Sequence, residues 1–591
     1  MNTYSSIVVD RTVPLDALSQ ARKDRFTIFL RASIVILLLM VLGNDPSRET
    51  LVTYFFYGQD YPLGLALMAS FAMLAVMPGG ASGFGSAVPG WARSPAIVVT
   101  LLAGALVAVG LVGHHLVMWG YQFSRDEQLV LFDAAVFRSG HFAARVPEDW
   151  QQYATALNTL FMPEAVKGVG AISQYRPGNA VLHAFVSYVA DPSLTNPVLA
   201  AIGLFATWRV AKRIMPDDPE SQIVAVLLFA TSTQVMAMAM TTYAMSGRLA
   251  LGMIWLALFL RDRWWSHLAS LAIAFVAIGW QQLAYFPAFA GSFLFFLLVM
   301  QRRWGWSAVY ATVFGFSIVF WSRYSIFAIR ELGVVPGPVD VDNFLLTRLW
   351  WAISYFSPAY LWTQSAYLLR FFTWENVLLL PLLVAGIPVA LRRRDPLLLA
   401  ILGAIATFVV MKTLFRPYQG HGWGYRYMHD IIGIVCLVAA LGWRDLRIRE
   451  VLGPRHLVAA TLASVLIFTP ILLIQARHFS GTFARVDRAI TQSAANIVII
   501  DDTVPEFTGD LVINPPYLDQ RPVRLLATHL SKGDMADLCR RGSVGFVGAP
   551  ELSSITAEFE RSLSGIEQAV PPLREAAVSE GCSIVRVHVR H

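Results

Sequence analysis

Thirteen long apolar runs, almost free of charged residues, constrain this chain more than any other feature. They lie near residues 27–43, 62–78, 95–119, 195–212, 222–240, 245–260, 267–282, 285–300, 306–323, 376–391, 396–413, 429–443 and 456–475. Apolar runs of roughly 17 to 25 residues are long enough to cross a bilayer as helices. Of the 591 residues, 56% are hydrophobic and 14% charged, and the mean hydropathy is +0.54. Soluble chains carry about 25% charged residues. The sequence therefore predicts a polytopic α-helical membrane protein with about thirteen transmembrane helices.

The formal net charge is +7, but the basic residues do not form the stripe that nucleic acid requires. They cluster between apolar runs: Arg22-Lys23-Asp24-Arg25, Arg93, Arg209/Lys212/Arg213, Arg261/Arg263, Arg302-Arg303, Arg392-Arg393-Arg394 and Arg444/Arg447/Arg449. These clusters fall in alternate loops, so all can be cytoplasmic without exception. That arrangement predicts a multi-pass protein of the bacterial cytoplasmic membrane, with a cytoplasmic N-terminus and a C-terminal segment on the periplasmic side. The first run follows a basic cluster and lacks a small-residue cleavage motif, so it reads as an uncleaved anchor. Gly79–Gly85 lacks the lysine of a phosphate loop and reads as a cytoplasmic linker.

Three organisational units follow: residues 1–94 with two helices, residues 95–477 as the main membrane domain, and residues 478–591. The main domain carries outer loops at 120–194 and 324–375. The second of these contains Arg348-Leu-Trp-Trp-Ala-Ile-Ser-Tyr-Phe-Ser, which reads as an interfacial helix with an aromatic belt. In the C-terminal unit, β-branched runs at 497–501, 510–514 and 544–547 alternate with helical patterns at 534–541 and 553–563, and a last strand is expected over 583–589. This pattern predicts a small α/β domain.

Asp126 and Glu127 stand out in the first outer loop, just past a membrane helix and before the amphipathic run Leu129–Phe137. A carboxylate near membrane depth is a functional candidate because its burial is costly. The alternative is that the pair caps the amphipathic helix, since acids favour helix N-termini.

Four stretches then carry a family resemblance. They are Asp126-Glu127 with Phe132–Pro147, Gln174-Tyr175-Arg176-Pro177-Gly178, Thr242-Tyr243-Ala-Met-Ser-Gly-Arg248, and Gly420-His421-Gly-Trp423-Gly-Tyr425-Arg426-Tyr427. In their order and sidedness they resemble the GT-C glycosyltransferases, specifically the polyprenyl-phosphate-sugar-dependent enzymes related to protein mannosyltransferases and aminoarabinose transferases. The resemblance implies a sugar donor on a polyprenyl monophosphate, a glycan or glycolipid acceptor, and chemistry at the periplasmic face. It makes Asp126 the general base. Glu127 would position the acceptor or tune Asp126, because close carboxylates push their pKa values apart. Arg176 and Arg426 would bind the donor phosphate as guanidinium forks, with His421, Tyr425 and Tyr427 as nearby donors. Tyr243, Arg248, Gln281 and Gln282 would line the substrate pocket. Against each arginine stands a snorkelling role at the interface, and Gln281-Gln282 can equally bond across helices.

No His or Cys pattern with metal-ligand spacing occurs, so no cofactor is expected. The two adjacent carboxylates are the single place where a divalent ion could sit. A transporter or flippase of a lipid-linked or polar solute is the competing function; an acid in mid-span facing a second charge would favour it. Cys436 lies in an apolar run, whereas Cys539 and Cys582 lie in the C-terminal unit. In an oxidising compartment these two are expected as a disulfide, or else as two separately buried thiols.

Overall fold

The structure, a computed structural model, describes residues 15–44, 50–78, 93–163, 166–335, 350, 354–415, 418–504, 507–559 and 567–589. Each of the thirteen apolar runs lies on a helix. The expected interfacial helix from 348 and the Gly79–Gly85 linker fall largely or wholly outside the described residues.

Helices α1 (Leu15–Gly43), α2 (Thr50–Phe55) and α3 (Tyr61–Val76) open the chain, and a π-helical turn, Phe56–Asp60, joins α2 to α3. Helix α4 (Pro95–Leu116) leads into the short amphipathic α5 (Arg125–Arg138). After α6 (Gly178–Val186) and α7 (Thr195–Ile214), the run at 222–240 forms two helices, α8 (Pro219–Ala230) and α9 (Thr233–Ala239), bent by 55°. Ser232 makes the break by accepting a hydrogen bond from Val235 N at 3.1 Å, an N-cap inside an otherwise apolar run. Then come α10 (Met245–Phe259), α11 (Trp264–Ile278), α12 (Tyr285–Leu294), α13 (Trp304–Ser322) and α14 (Tyr324–Glu331). The bundle closes with α15 (Ala359–Thr373), α16 (Leu379–Arg393), α17 (Pro396–Leu414), α18 (Ile432–Ile448), α19 (Pro454–Ala463) and α20 (Thr469–Thr491). Among the described residues, seven helical stretches are long and apolar enough to cross a membrane, or eight with the bent pair counted as one.

Helices α10 and α18 are apolar around most of their circumference and are buried at the centre, as such helices must be. Helix α16 lies against α18 with its backbone in near contact. A Cβ on Gly386 would fall 2.1 Å from Val438 O, and one on Gly442 would fall 2.1 Å from Leu382 O. Small residues are what permit this approach where apolar burial alone gives helices no preference for one another.

Helix α20 does not stop near 475 but continues to Thr491, because Phe479, Phe483, Val486 and Ile490 repeat a buried face beyond the apolar run. It delivers the chain to a four-stranded parallel sheet of β3 (Ile497–Ile500), β4 (Val523–Leu526), β5 (Val544–Val547) and β6 (Ile584–Val585), in the order β4-β3-β5-β6. A separate two-stranded pair, β1 (Ala144–Arg145) and β2 (Gly170–Ala171), lies in the first large loop. Two helices of the C-terminal domain, α21 (Asp534–Arg541) and α22 (Ser553–Glu558), match helical patterns in the sequence, and α23 (Val570–Ser579) adds a third.

The run 510–514 is not a strand. It forms the 3-10 turn Thr508–Leu511 and then extended chain, and Pro515-Pro516 follow directly. Its N–H groups are engaged locally, Asp510 N with Phe507 O, Val512 N with Gly509 O and Ile513 N with Leu511 O, and the second strand forms further on, at β4. The sheet is covered on both faces. Ile497 and Ile499 pack with Trp150 and Tyr153 of the first loop, whereas Val498 and Ile500 join the main core. The C-terminal domain and the first loop therefore share one core.

Cys539 at the end of α21 and Cys582 before β6 form a disulfide with Cα atoms 5.2 Å apart and a sequence separation of 43. A loop of this length constrains the unfolded chain by about 3–4 kcal/mol on the loop-entropy estimate. Alkylation of unreduced, denatured protein should therefore label Cys436 and leave Cys539 and Cys582 unlabelled; label at both would overturn the bridge.

Candidate active site

Ser124 caps α5 by accepting from Glu127 N, which places Asp126 and Glu127 in the first helical turn. Acids fit there on dipole grounds alone, but their side chains go elsewhere and diverge. The Asp126 carboxylate pairs with Arg426, whose Nη1 lies 2.7 Å from Oδ2, and accepts a hydrogen bond from the Tyr175 hydroxyl. It remains 14% exposed, so it is held but not sealed. Glu127 is buried: its Oε2 accepts from Thr242 N at 3.2 Å, and its backbone carbonyl accepts from the Thr242 hydroxyl at 3.2 Å. These bonds fasten α5 to the turn between α9 and α10. The two carboxylates do not share a direction, and among the described residues no group of three His, Cys, Asp or Glu gathers as a metal site would.

Tyr175, not Arg176, meets Asp126. Seven residues along α5, Asp133 lies on the same face as Asp126 and holds Ser173, whose backbone N–H is 3.2 Å from its Oδ1 and whose hydroxyl also donates to it. The chain is thereby pinned so that Tyr175 reaches Asp126. Arg176 turns away, as the next residue of an irregular extended segment does. Its Nη1 donates to Gln174 O at 3.0 Å and to Ser325 Oγ at 3.3 Å. Its backbone N–H donates to Gln281 O at 3.0 Å, so the motif is stitched to the turn before α12.

Arg426 is presented by a glycine-rich loop. Gly424 adopts φ +65°, and a Cβ there would come within 2.4 Å of Gln234 Oε1. The Gln234 amide clamps Tyr425, accepting from its backbone N–H at 2.9 Å and donating to its carbonyl at 3.0 Å. Gln419 supports Arg426 from the other side, accepting from the Arg426 backbone N–H at 3.1 Å. Tyr425 is buried beneath the loop and donates to Gln364 at 2.7 Å. His421 faces the C-terminal domain. Its ring packs between Phe123 and Phe507, with Nε2 3.5 Å from Asp510 Oδ2, and burial lowers its pKa.

From Asp126 a ladder of cations and aromatic rings runs through the bundle. Arg426 lies 5.0 Å from the Tyr243 ring and 5.5 Å from the Tyr427 ring. The Lys412 ammonium lies 3.8 Å from the Tyr427 ring and 4.3 Å from the Tyr285 ring, and donates to the Tyr285 hydroxyl. The Arg248 guanidinium lies 3.9 Å from the same Tyr285 ring, pairs with Asp430 at 3.1 Å and donates to Gln281 at 3.3 Å. Gln282 follows, half-buried, at the loop edge. The ladder thus holds three cations and two carboxylates.

Lys412, Asp430 and Tyr175 were not singled out as site residues from the sequence. Lys412 and Asp430 carried a usable signal, because each is a charge at the edge of an apolar run. Tyr175 carried none beyond its place beside Arg176.

No family model matches this sequence, and no curated protein matches it. Among solved structures, the chain is similar to ArnT from Cupriavidus metallidurans in the apo state, at 12% identity and a TM-score of 0.49, covering 71% of this chain and 84% of that one. It is also similar to the same protein bound to undecaprenyl phosphate, at 14% identity and a TM-score of 0.47, covering 71% and 85%.

Burial pushes the Glu127 carboxyl up to about 8 from 4.5, against the opposing effects of the Thr242 N–H and Arg426. The folded state therefore binds more protons than the unfolded state between those values, and this group makes stability fall as pH rises through that window. Glu127→Gln removes the effect. Its unfolding free energy relative to wild type should rise from pH 5 to pH 8.5, with a limiting slope of about 1.4 kcal/mol per pH unit. Parallel pH profiles for the two proteins would sink this assignment.

Proposed function

We propose that the protein is an integral-membrane glycosyltransferase that moves a sugar from a polyprenyl-phosphate donor to an envelope glycan or glycolipid. The reaction takes place at the periplasmic face of a bacterial cytoplasmic membrane, with the N-terminus in the cytoplasm and the C-terminal domain in the periplasm. The observation that carries this reading is the partly exposed Asp126 carboxylate, held by Arg426 and Tyr175 at the end of a cation-rich ladder. A base beside fixed positive charge is what transfer from a phosphate leaving group needs.

In this reading Asp126 accepts the proton of the acceptor hydroxyl as its oxygen attacks the anomeric carbon. The bond from that carbon to the phosphate oxygen breaks, and its electron pair leaves with the polyprenyl phosphate. One direct displacement inverts the anomeric centre. Arg426 and Lys412 lie where they can neutralise the departing phosphate, with Arg248 behind them. Glu127, its pKa raised by burial, keeps the turn before α10 in place.

A specific observation supports transport as the second reading: Asp60 and Arg370 pair inside the bundle, away from Asp126. Purified protein incubated with a panel of polyprenyl-phosphate sugars and acceptors separates the two. Wild type should release polyprenyl phosphate, and Asp126→Asn should lower turnover by about 10²–10⁴-fold, as loss of a general base does. Turnover unchanged by that substitution would remove Asp126 from its role. No release from any donor would favour transport.

A further inference from the structure

We infer that Asp60 is a positioning residue for this site, acting through Arg370 and α15 on the loop that presents Arg426. The consequence for catalysis rests on the transferase reading; the mechanical link does not.

Asp60 ends the π-helical turn that interrupts the α2–α3 helix. Such turns insert one residue into a helix and recur at functional sites. Its Oδ2 lies 2.9 Å from Arg370 Nε, with the two side chains 1% and 2% exposed. The preceding Gln59 accepts from Trp374 Nε1 at 3.2 Å and donates to Gln475 at 2.8 Å. Two consecutive residues of the turn therefore grip the last turn of α15, and one of them also ties in α20. Arg370 is further enclosed by the rings of Phe55 at 4.6 Å and Tyr367 at 5.3 Å.

The same helix carries the contacts that hold the loop. Tyr367, three residues before Arg370, accepts from Gln419 N at 3.3 Å and stacks on Tyr425 at 5.0 Å, 14° from parallel. Gln364, three residues earlier, accepts from the Tyr425 hydroxyl at 2.7 Å. Positions three apart share a helix face, so rotation or sliding of α15 would move both contacts together. Gln419 and Tyr425 flank the peptide that sets Arg426 against Asp126. The turn between α2 and α3 thus reaches the Asp126 site through a continuous series of contacts.

A buried pair also holds helices together, so the test must separate position from stability. Full-length wild type, Asp60→Asn and the apolar pair Asp60→Leu/Arg370→Met are compared in lipid nanodiscs. Replacing both members of a buried pair by packed apolar residues commonly restores stability, whereas removing one does not. Thermal midpoint, hydrogen exchange of the 418–426 amides, and kcat and KM for a polyprenyl-phosphate sugar are read for each. Asp60→Asn should raise exchange at the Gln419 and Tyr425 amides at least tenfold and lower kcat at least tenfold, by more than KM changes. The apolar pair should recover the thermal midpoint without recovering exchange protection or kcat. Unchanged loop exchange in Asp60→Asn, or recovery of both protection and kcat by the apolar pair, would overturn the inference. If wild type releases no polyprenyl phosphate, the transferase reading falls, and the exchange measurement alone decides whether Asp60 positions the loop.

Discussion

A charge carried into an apolar bundle must bring its counter-charge with it, and that constraint arranges the functional end of this protein. Asp126 meets Arg426 across 300 residues of sequence, Arg248 meets Asp430 across 182, and Arg370 meets Asp60 across 310. Removing one partner of such a pair strands a buried charge at a cost of about 3–5 kcal/mol. The pairs therefore fix which helices are neighbours, where apolar contact alone would tolerate many arrangements. The glycine contact between α16 and α18 sets how closely helices approach; the ion pairs set which side chains end up facing one another.

The same constraint divides the labour of the adjacent carboxylates. Consecutive positions in a helical turn point about 100° apart, so one acid can enter the protein while its neighbour stays at the rim. Glu127 enters, meets a backbone N–H and, among the described residues, no cation within pairing distance, and its pKa rises with burial. Asp126 stays partly exposed and takes the guanidinium and the phenol. Two residues of nearly identical chemistry thus acquire different partners and different burial from geometry alone. Asp126 alone of the two combines a cationic partner with partial exposure.

The helical architecture and Asp126 were legible in the sequence for one reason: both are statements about where charge is absent. Apolar runs mark helices, and an acid beside them stands out. What was hidden depends on direction. Arg176 and Tyr175 are adjacent, and only the hold of Asp133 on Ser173 decides which of them reaches Asp126. Lys412 and Asp430 sit at run edges, where a charge ordinarily reaches for water, so their inward course could not be read from hydropathy. The mistaken strand at 510–514 arose because a β-branched run looks the same whether its N–H groups enter a ladder or, as here, bond within a local turn. The bend between α8 and α9 was hidden because a serine in an apolar run reads equally as a tolerated polar residue and as a cap.

The C-terminal domain is placed to act on the site without belonging to it. Its 3-10 turn sets Asp510 beside His421, its Asp510 carbonyl accepts from Gln128 of α5 at 2.7 Å, and its Gly509 carbonyl accepts from Asn158 at 2.9 Å. One turn of the domain therefore touches the helix that carries Asp126 and the loop that carries Arg426. One face of its sheet is covered by the Trp150 and Tyr153 side chains of the first loop, so domain and loop bury a common core. Shared burial and these hydrogen bonds tie the domain to the first loop. This gives a soluble-looking α/β unit a physical reason to remain attached to a membrane bundle: it orders the loop that the lipid-embedded helices leave exposed.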